Sequence, residues 1–238
     1  MVKPVLRSIV DLVSTLAMAL AAVVLLWRTF YSSPQLEEAT GGNVRVAVED
    51  VSERQLTTSL KGVATKGDES ASLVVLEFGD FQCPFCGRFA RDTFGELDRD
   101  FIVTRKIQYA FRNFPLEQLH SSALGAARAG QCAAVQGRFW EMRGFLYGNQ
   151  ARLTEQIWLR PPHDLGLETA AFERCLAAAD EKNIREDIEE GSRLGVVSTP
   201  TFLVGRRGPD QTVHLMRKIR GAHPLKVFED VLTSLIAS

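Results

Sequence analysis

Cysteine is scarce in this chain, with four residues among 238. That number is too small for a disulfide-rich scaffold of this length. The net charge of −1 at pH 7 lacks the strong basic excess of a nucleic-acid-binding domain, so we expect no nucleic-acid partner. Histidine is also scarce, and the four histidines show no H-x₃₋₅-H spacing that would complete a zinc site with a cysteine pair. We therefore expect no metal site.

The first thirty residues are far more apolar than the rest of the chain. Ile9 to Trp27 contains one charged residue, Asp11, and a helix over this range would span roughly 28 Å, close to the hydrocarbon thickness of a bilayer. Lys3 and Arg7 precede the segment, and positive charge favours the cytoplasmic side. The sequence thus predicts a cytoplasmic N-terminus at 1–8, a transmembrane anchor at 9–30 and a polar linker at 31–51.

A cleaved signal peptide is the alternative interpretation of this segment. Ala19-Leu20-Ala21 resembles a cleavage site, although cleavage there would leave an apolar stub from Val23 to Trp27. We favour the uncleaved anchor. It predicts a single-pass protein of the cytoplasmic (inner) membrane, with the folded domain in the periplasm or another extracytoplasmic space.

The folded domain, predicted at 52–238, begins with a clear α/β pattern. The run at 73–78 is apolar except for one acid and predicts a buried strand. Pro84 suits the first turn of a following helix, which we expect to end near Leu97. A second strand is predicted at 107–111.

The second half of the chain is predicted to be helical first and then to return to strands. Residues 121–194 are rich in Ala, Leu, Glu and Arg, as helices are. Two strands at 201–204 and 213–219 and a final helix after Pro224 follow. Strands on both sides of a helical block predict an α/β core with an inserted helical subdomain at about 117–195.

The chemistry is predicted to reside in the motif Cys83-Pro84-Phe85-Cys86. A C-x-x-C pair can be half of a zinc site, an inert disulfide or a redox pair. Its position between a strand and a helix favours redox chemistry, because the free N–H groups and the dipole at a helix N-terminus stabilise a thiolate. We expect Cys83 to form mixed disulfides and Cys86 to be the more buried resolving thiol.

Glu77 is the acid within the first strand. By alternation it shares a face with Leu73 and Val75, so it should be at least partly buried. One interpretation makes it a proton donor or acceptor for Cys86, with a pKa raised by desolvation. The other makes it a structural carboxylate at the strand end, paired with a nearby Lys or Arg.

Several separated motifs together resemble one family. Glu77 six residues before Cys83-Pro84-Phe85-Cys86, then the downstream segment Thr199-Pro200-Thr201-Phe202, is similar to the DsbA-like branch of the thioredoxin superfamily. Two segments around Cys132 and Cys175 also resemble that branch's helical insert. The resemblance covers most of the chain from Leu73 onward.

The resemblance implies a thioredoxin-like fold and an active-site constellation. Pro200 would be cis and face Cys83, the backbone of Thr199 would pair with an extended substrate segment, and Pro84 and Phe85 would contact substrate. Cys132 and Cys175, in an exported domain, suggest a structural disulfide, although two buried free thiols remain the alternative. No cofactor is expected. The implied partners are unfolded or partly folded exported proteins and a membrane redox partner that recycles the cysteine pair.

The direction of electron flow is left open by two departures from the best-known members. The dipeptide between the cysteines is Pro-Phe rather than Pro-His, and Thr199 before the proline also occurs in related reductases and isomerases. We expect a membrane-anchored oxidase, with a reductase or isomerase for one client as the alternative. A non-catalytic tethered binding or chaperone module is a third possibility.

Overall fold

The structure is a computed structural model that describes residues 48–159 and 165–237. The predicted cytoplasmic N-terminus, anchor and cleavage site, and the linker up to residue 47, lie outside the described residues. Within the part of the chain that the structure describes, no helix is both long and apolar enough to cross a bilayer.

The described residues contain seven strands, β1 (Val48–Asp50), β2 (Thr57–Ser59), β3 (Ala64–Gly67), β4 (Leu73–Gly79), β5 (Ile107–Asn113), β6 (Thr201–Arg207) and β7 (Thr212–Arg220). They form one mixed sheet in the order β1-β7-β6-β4-β5-β3, with β2 also pairing with β7. The central strand β4 pairs in parallel with β5 and antiparallel with β6. All seven residues of β4 are buried because both sheet faces are covered, as its nearly continuous apolar sequence predicts.

The helices of residues 48–159 and 165–237 fall into two sets, those that pack with the sheet strands in sequence and those inserted between β5 and β6. Two of them connect β4 to β5, and one follows β7. Five lie between β5 and β6, and we call these five the helical insertion. In chain order the helices are α1 (Pro84–Asp92), α2 (Phe94–Leu97), α3 (Ala123–Val135), α4 (Phe139–Gly148), α5 (Glu155–Leu159), α6 (Thr169–Ala178), α7 (Lys182–Arg193) and α8 (Leu225–Ile236).

The apolar core on one side of the sheet is built around aromatic rings. Phe89 of α1, Phe202 of β6 and Phe228 of α8 are fully buried, and their ring centroids lie 4.5 to 5.4 Å apart. Each such ring contributes roughly 1.5–3 kcal/mol by leaving water. This packing fixes α1 against the sheet, and α1 carries the cysteine motif at its N-terminus.

The helical insertion forms a further apolar cluster that includes the cysteine motif itself. Phe81, which precedes Cys83, stacks on Phe111 of β5 and packs against Tyr147 of α4, with centroids 5.4 and 5.1 Å apart. A disulfide between Cys132 of α3 and Cys175 of α6 joins two helices of the insertion. The insertion is therefore packed directly against the loop that leads into α1.

Two of the predicted boundaries need correction. The predicted linker included residues 48–50, but these residues form strand β1 (Val48–Asp50). They do so because the backbone of β7 supplies hydrogen-bonding partners, which the sequence around residues 48–50 does not reveal. The helix expected to run from Pro84 to Leu97 is interrupted at Thr93. The Thr93 hydroxyl donates a hydrogen bond of 2.9 Å to the carbonyl oxygen of His223.

Candidate active site

The cysteine motif lies at the junction between β4 and α1. Cys83 is the N-terminal capping residue of α1 and Pro84 is its first helical residue, where the missing N–H has no cost. Both cysteines are buried and reduced, whereas 53% of Phe85 is exposed. The motif therefore presents an aromatic ring to solvent beside two sheltered sulfur atoms.

The two thiols have widely separated acidities. The pKa of Cys83 is lowered to about 6, chiefly by a hydrogen bond from the Cys86 thiol, against the opposing effect of burial. The side chain of Thr199 and the N–H groups of Phe85 and Cys86 lower it further. Burial raises the pKa of Cys86 well above its usual value, and the charge of Glu77 adds to the rise. At neutral pH the pair thus holds one thiolate and one thiol.

The loop before β6 brings Thr199 and Pro200 to the motif. The Thr199–Pro200 peptide bond is cis, and the Cys83 thiol donates to the Thr199 carbonyl oxygen at 3.3 Å. Thr199 and Pro200 are buried, while 77% of the nearby Val197 is exposed. The structure thus brings the carbonyl oxygen of the cis Thr199–Pro200 bond to the Cys83 sulfur.

Glu77 is fully buried on β4, on the same face as Leu73 and Val75. Its Oε2 atom accepts a hydrogen bond from Arg143 at 2.8 Å and from the hydroxyl of Tyr109 at 2.7 Å. Glu77 is therefore paired with a cation, as the structural interpretation of this residue expected, and the cation is Arg143. The charge of Glu77 also raises the pKa of Cys86, and a role for Glu77 as proton donor or acceptor stays a prediction.

Arg143 is a site residue that the sequence reasoning missed. It lies on α4 and is 3% exposed. Burial opposes its charge, but the adjacent Glu77 carboxylate outweighs this effect and raises the pKa of Arg143 above its usual value. A signal was present: Arg143 shares a helical face with Phe139 and Leu146, at spacings of four and three, so burial of a charge could have been predicted.

Asp80 is a second missed residue, and it organises the loop before Cys83. Its Oδ1 atom accepts from the N–H groups of Gln82 at 2.7 Å and Cys83 at 3.2 Å. Its Oδ2 atom accepts from the N–H of Leu116 at 2.9 Å and lies 2.7 Å from Nδ1 of His120. The carboxylate therefore ties the active-site loop to the segment between β5 and α3.

Gln150, a third missed residue, joins the same loop to the helical insertion. Its Nε2 atom donates to the carbonyl oxygens of Phe81 at 2.9 Å and Cys83 at 2.8 Å. Gly87 leaves the space that this amide occupies, because a Cβ atom there would lie 1.9 Å from Oε1 of Gln150. No local pattern in the sequence signals this contact.

Cys132 and Cys175 are joined to each other and take no part in the redox pair. In the described residues no group of three or more His, Cys, Asp or Glu side chains could hold a metal ion. The chemistry available to the site is that of a thiolate beside a protonated thiol, which is suited to thiol–disulfide exchange.

The chain is similar in sequence to a known family and to known proteins. Residues 58–218 match the family model described as Thioredoxin. The chain is 28% identical over 154 residues to the disulfide bond formation protein D of Bacillus subtilis, covering 61% of this chain and 69% of that protein. It is also 36% identical over 160 residues to the Na(+)/H(+) antiporter NhaA 1 of Mycobacterium sp. (strain KMS), covering 65% of this chain but 26% of the antiporter. The chain thus spans about a quarter of the length of that antiporter.

Solved structures show the same fold. Alpha-DsbA1 of Wolbachia pipientis superposes with a TM-score of 0.63 at 22% identity, covering 78% of this chain and 96% of that chain. Oxidised BdbD of Bacillus subtilis superposes with a TM-score of 0.61 at 21% identity, covering 76% and 96% respectively.

Proposed function

This chain belongs to the thioredoxin family, and from that premise we propose that it is a membrane-anchored thiol–disulfide oxidoreductase of the DsbA-like branch that oxidises exported proteins. The observation that carries the proposal is the separation of acidities between Cys83, with a pKa of about 6, and the buried Cys86. A thiol of low pKa is a good leaving group, so its disulfide is a strong oxidant.

The proposed reaction is a two-step exchange. A client thiolate attacks the Cys83 sulfur of the oxidised pair, the Cys83–Cys86 bond breaks, and Cys86 leaves and takes up a proton. A second client thiolate then attacks the client sulfur of the mixed disulfide and releases Cys83 as a thiolate. The client loses two electrons and gains a disulfide, and the enzyme holds the electrons as a thiolate and a thiol.

Client binding is proposed at the surface around Cys83. The exposed side chains of Phe85, in the motif, and of Val197, two residues before Thr199, would supply apolar contacts to the client. The backbone next to Pro200 would pair with an extended client segment, which suits unfolded or partly folded proteins. A separate membrane redox partner would accept the two electrons and restore the disulfide.

The proposed location is the outer side of the cytoplasmic membrane, with residues 9–30 as the anchor. Two features support it: the apolar length of Ile9 to Trp27 and the disulfide between Cys132 and Cys175, a bond typical of oxidising compartments. Reducing intact spheroplasts with a membrane-impermeant phosphine and then treating them with a membrane-impermeant maleimide would test it. We expect labelling of Cys83 without lysis, and labelling only after lysis would place the domain inside.

The second candidate function reverses the electron flow. The motif carries Phe85 where a histidine would add a cation-capable neighbour to the thiolate, and a smaller stabilisation of the thiolate favours reduction or isomerisation of client disulfides. The direction is set by the reduction potential of the pair.

The test is the equilibrium of the full-length protein with glutathione, together with the oxidation of a reduced client. An oxidase should have a potential near the value of about −120 mV found for DsbA, and a value near the −270 mV of thioredoxin would establish the reductase instead. Cys83→Ser should abolish client oxidation, and Cys132→Ala/Cys175→Ala, which removes the other pair, should not. Full physiological activity of Cys83→Ser/Cys86→Ser would point to a binding module.

A further inference from the structure

A buried ion pair joins the helical insertion to the central strand beneath the redox pair. Arg143 of α4 is 3% exposed and Glu77 of β4 is 0% exposed. Nη2 of Arg143 donates to Oε2 of Glu77 at 2.8 Å. Sixty-six residues separate the two along the chain, so the pair exists only because the insertion packs on the sheet.

Aromatic rings enclose the guanidinium on several sides. Its central carbon lies 4.3 Å from the ring centroid of Phe94, 5.0 Å from Tyr147, 5.5 Å from Phe111 and 5.8 Å from Trp140. This enclosure excludes water, and a charge removed from water acts strongly on its neighbours. The position of Arg143 is therefore fixed both by packing and by the carboxylate.

The ion pair acts on the sulfur atoms through Glu77. The negative charge of Glu77 raises the pKa of Cys86, so the field of the carboxylate reaches the redox pair. The positive charge of Arg143 lies within hydrogen-bonding distance of the same carboxylate and opposes that field. The ionisable groups that surround the pair from neighbouring elements are Tyr109, Tyr147, Cys86 and, through Tyr147, Asp80.

We propose that Arg143 is a positioning residue for the redox pair, which holds Glu77 as an oriented carboxylate and offsets its charge beneath Cys86. The inference rests on the proposed function and assigns part of the tuning of the pair to the helical insertion. Without Arg143, the unpaired carboxylate would disfavour the thiolate of the reduced pair. It would also take up a proton as the pH falls, because a buried charge without a partner favours its neutral form.

The experiment is a mutant cycle on the full-length protein. The equilibrium constant with glutathione and the thiolate absorbance of Cys83 are measured from pH 5 to pH 9 for wild type, Arg143→Met, Glu77→Gln and the double variant. We expect Arg143→Met to shift the constant about tenfold toward the oxidised protein at high pH, since one pK unit of differential interaction is tenfold. The shift should shrink as the pH falls, because the unpaired carboxylate of this variant takes up a proton.

Two variants separate this role from a merely structural one. Glu77→Gln/Arg143→Met leaves neither charge buried, so the double variant should fold. It should also lose the pH dependence of Arg143→Met, because it has no carboxylate at position 77. Arg143→Lys retains the charge and should recover most of the wild-type constant. Arg138→Met, which removes an exposed arginine paired with Glu141 just before α4, is the matched control and should behave as wild type.

Two results would overturn the inference. One is a folded Arg143→Met protein with the wild-type constant at every pH. The other is an equal effect of Arg143→Met in the Glu77→Gln background, which would mean that Arg143 does not act through Glu77. If Arg143→Met fails to fold, Arg143→Gln replaces it in the cycle, because glutamine keeps a hydrogen-bond donor beside Glu77 but removes the charge. A folded Arg143→Gln protein with the wild-type constant at every pH would then overturn the inference. The potential of the wild type tests the proposed oxidase separately, because the inference concerns differences between variants.

Discussion

The Cys83 sulfur lies 3.3 Å from the carbonyl oxygen of Thr199, a residue 116 positions further along the chain. This contact brings the N-terminus of α1 against the loop that precedes β6. It places the redox-active sulfur beside backbone that an extended client could pair with. The thiol donates in this contact, so ionisation of Cys83 releases the Thr199 carbonyl oxygen.

The first prediction concerns the ionisation of Cys83. The rate of alkylation of the reduced protein by iodoacetamide should follow a single titration with a midpoint near pH 6, because the thiolate is the reactive form and the pKa of Cys83 is about 6. Cys86 should stay unmodified below about pH 8.5, since burial raises its pKa. A midpoint near the free value of about 8.5 would contradict both the thiolate and the oxidase.

The second prediction concerns the stability of the reduced protein. The folded pKa of Cys83, about 6, lies below its unfolded value of about 8.5, so the unfolded chain binds more protons between these values. The stabilisation is therefore present above pH 8.5 and is lost as the pH falls through 6. We expect a loss on the order of 1–2 kcal/mol from pH 8 to pH 5.5 in urea unfolding of the reduced protein. The oxidised protein, which has no thiol at Cys83, is the control and should not show this difference.

The third prediction concerns the disulfide between Cys132 and Cys175, which closes a loop across a sequence separation of 43. Its removal by Cys132→Ala/Cys175→Ala should lower the free energy of unfolding by up to roughly 4 kcal/mol, mainly by relaxing the unfolded chain. The glutathione equilibrium of Cys83 and Cys86 should stay within about threefold of wild type, because the bond lies outside the redox pair. A large change in that equilibrium would mean that the disulfide acts on the active site.

The fourth prediction concerns Gly87. In Gly87→Ala the new methyl group would meet the amide of Gln150 at 1.9 Å, and the flexible side chain should move away from the carbonyl oxygens of Phe81 and Cys83. The loss of these hydrogen bonds should cost about 1–3 kcal/mol. Hydrogen exchange of the loop before α1 should increase by a similar factor in Gly87→Ala and Gln150→Ala.

Gly95→Ala is the matched control for Gly87→Ala. Gly95 lies in helix α2, and a Cβ atom there would have no neighbour within 4 Å. This variant should be neutral or stabilised by up to about 1 kcal/mol, because alanine is the better helix former. If Gly87→Ala behaved in the same way, Gln150 would not hold the loop.

The sequence by itself determined the features that depend on neighbouring residues. The apolar run of β4 predicted a strand buried on both faces, and Pro84 placed the start of α1 correctly. Alternation along β4 placed Glu77 in the core. The position of Cys83 at a helix N-terminus predicted a low pKa, and the hydrogen bond from the Cys86 thiol is its largest cause, with the N–H groups of Phe85 and Cys86 contributing. Each of these follows from local geometry, in which strand period, helix start and dipole are properties of a few consecutive residues.

Only the tertiary structure decided which distant groups meet. The cation opposite Glu77 proved to be Arg143 from the helical insertion, the carbonyl beside Cys83 belongs to Thr199, and Gln150 fixes the loop before α1. Val48–Asp50 form a strand because their backbone pairs with that of β7. Such contacts arise from the packing of whole elements against one another, and the free energy of that packing is shared among many side chains. No single stretch of sequence therefore encodes them.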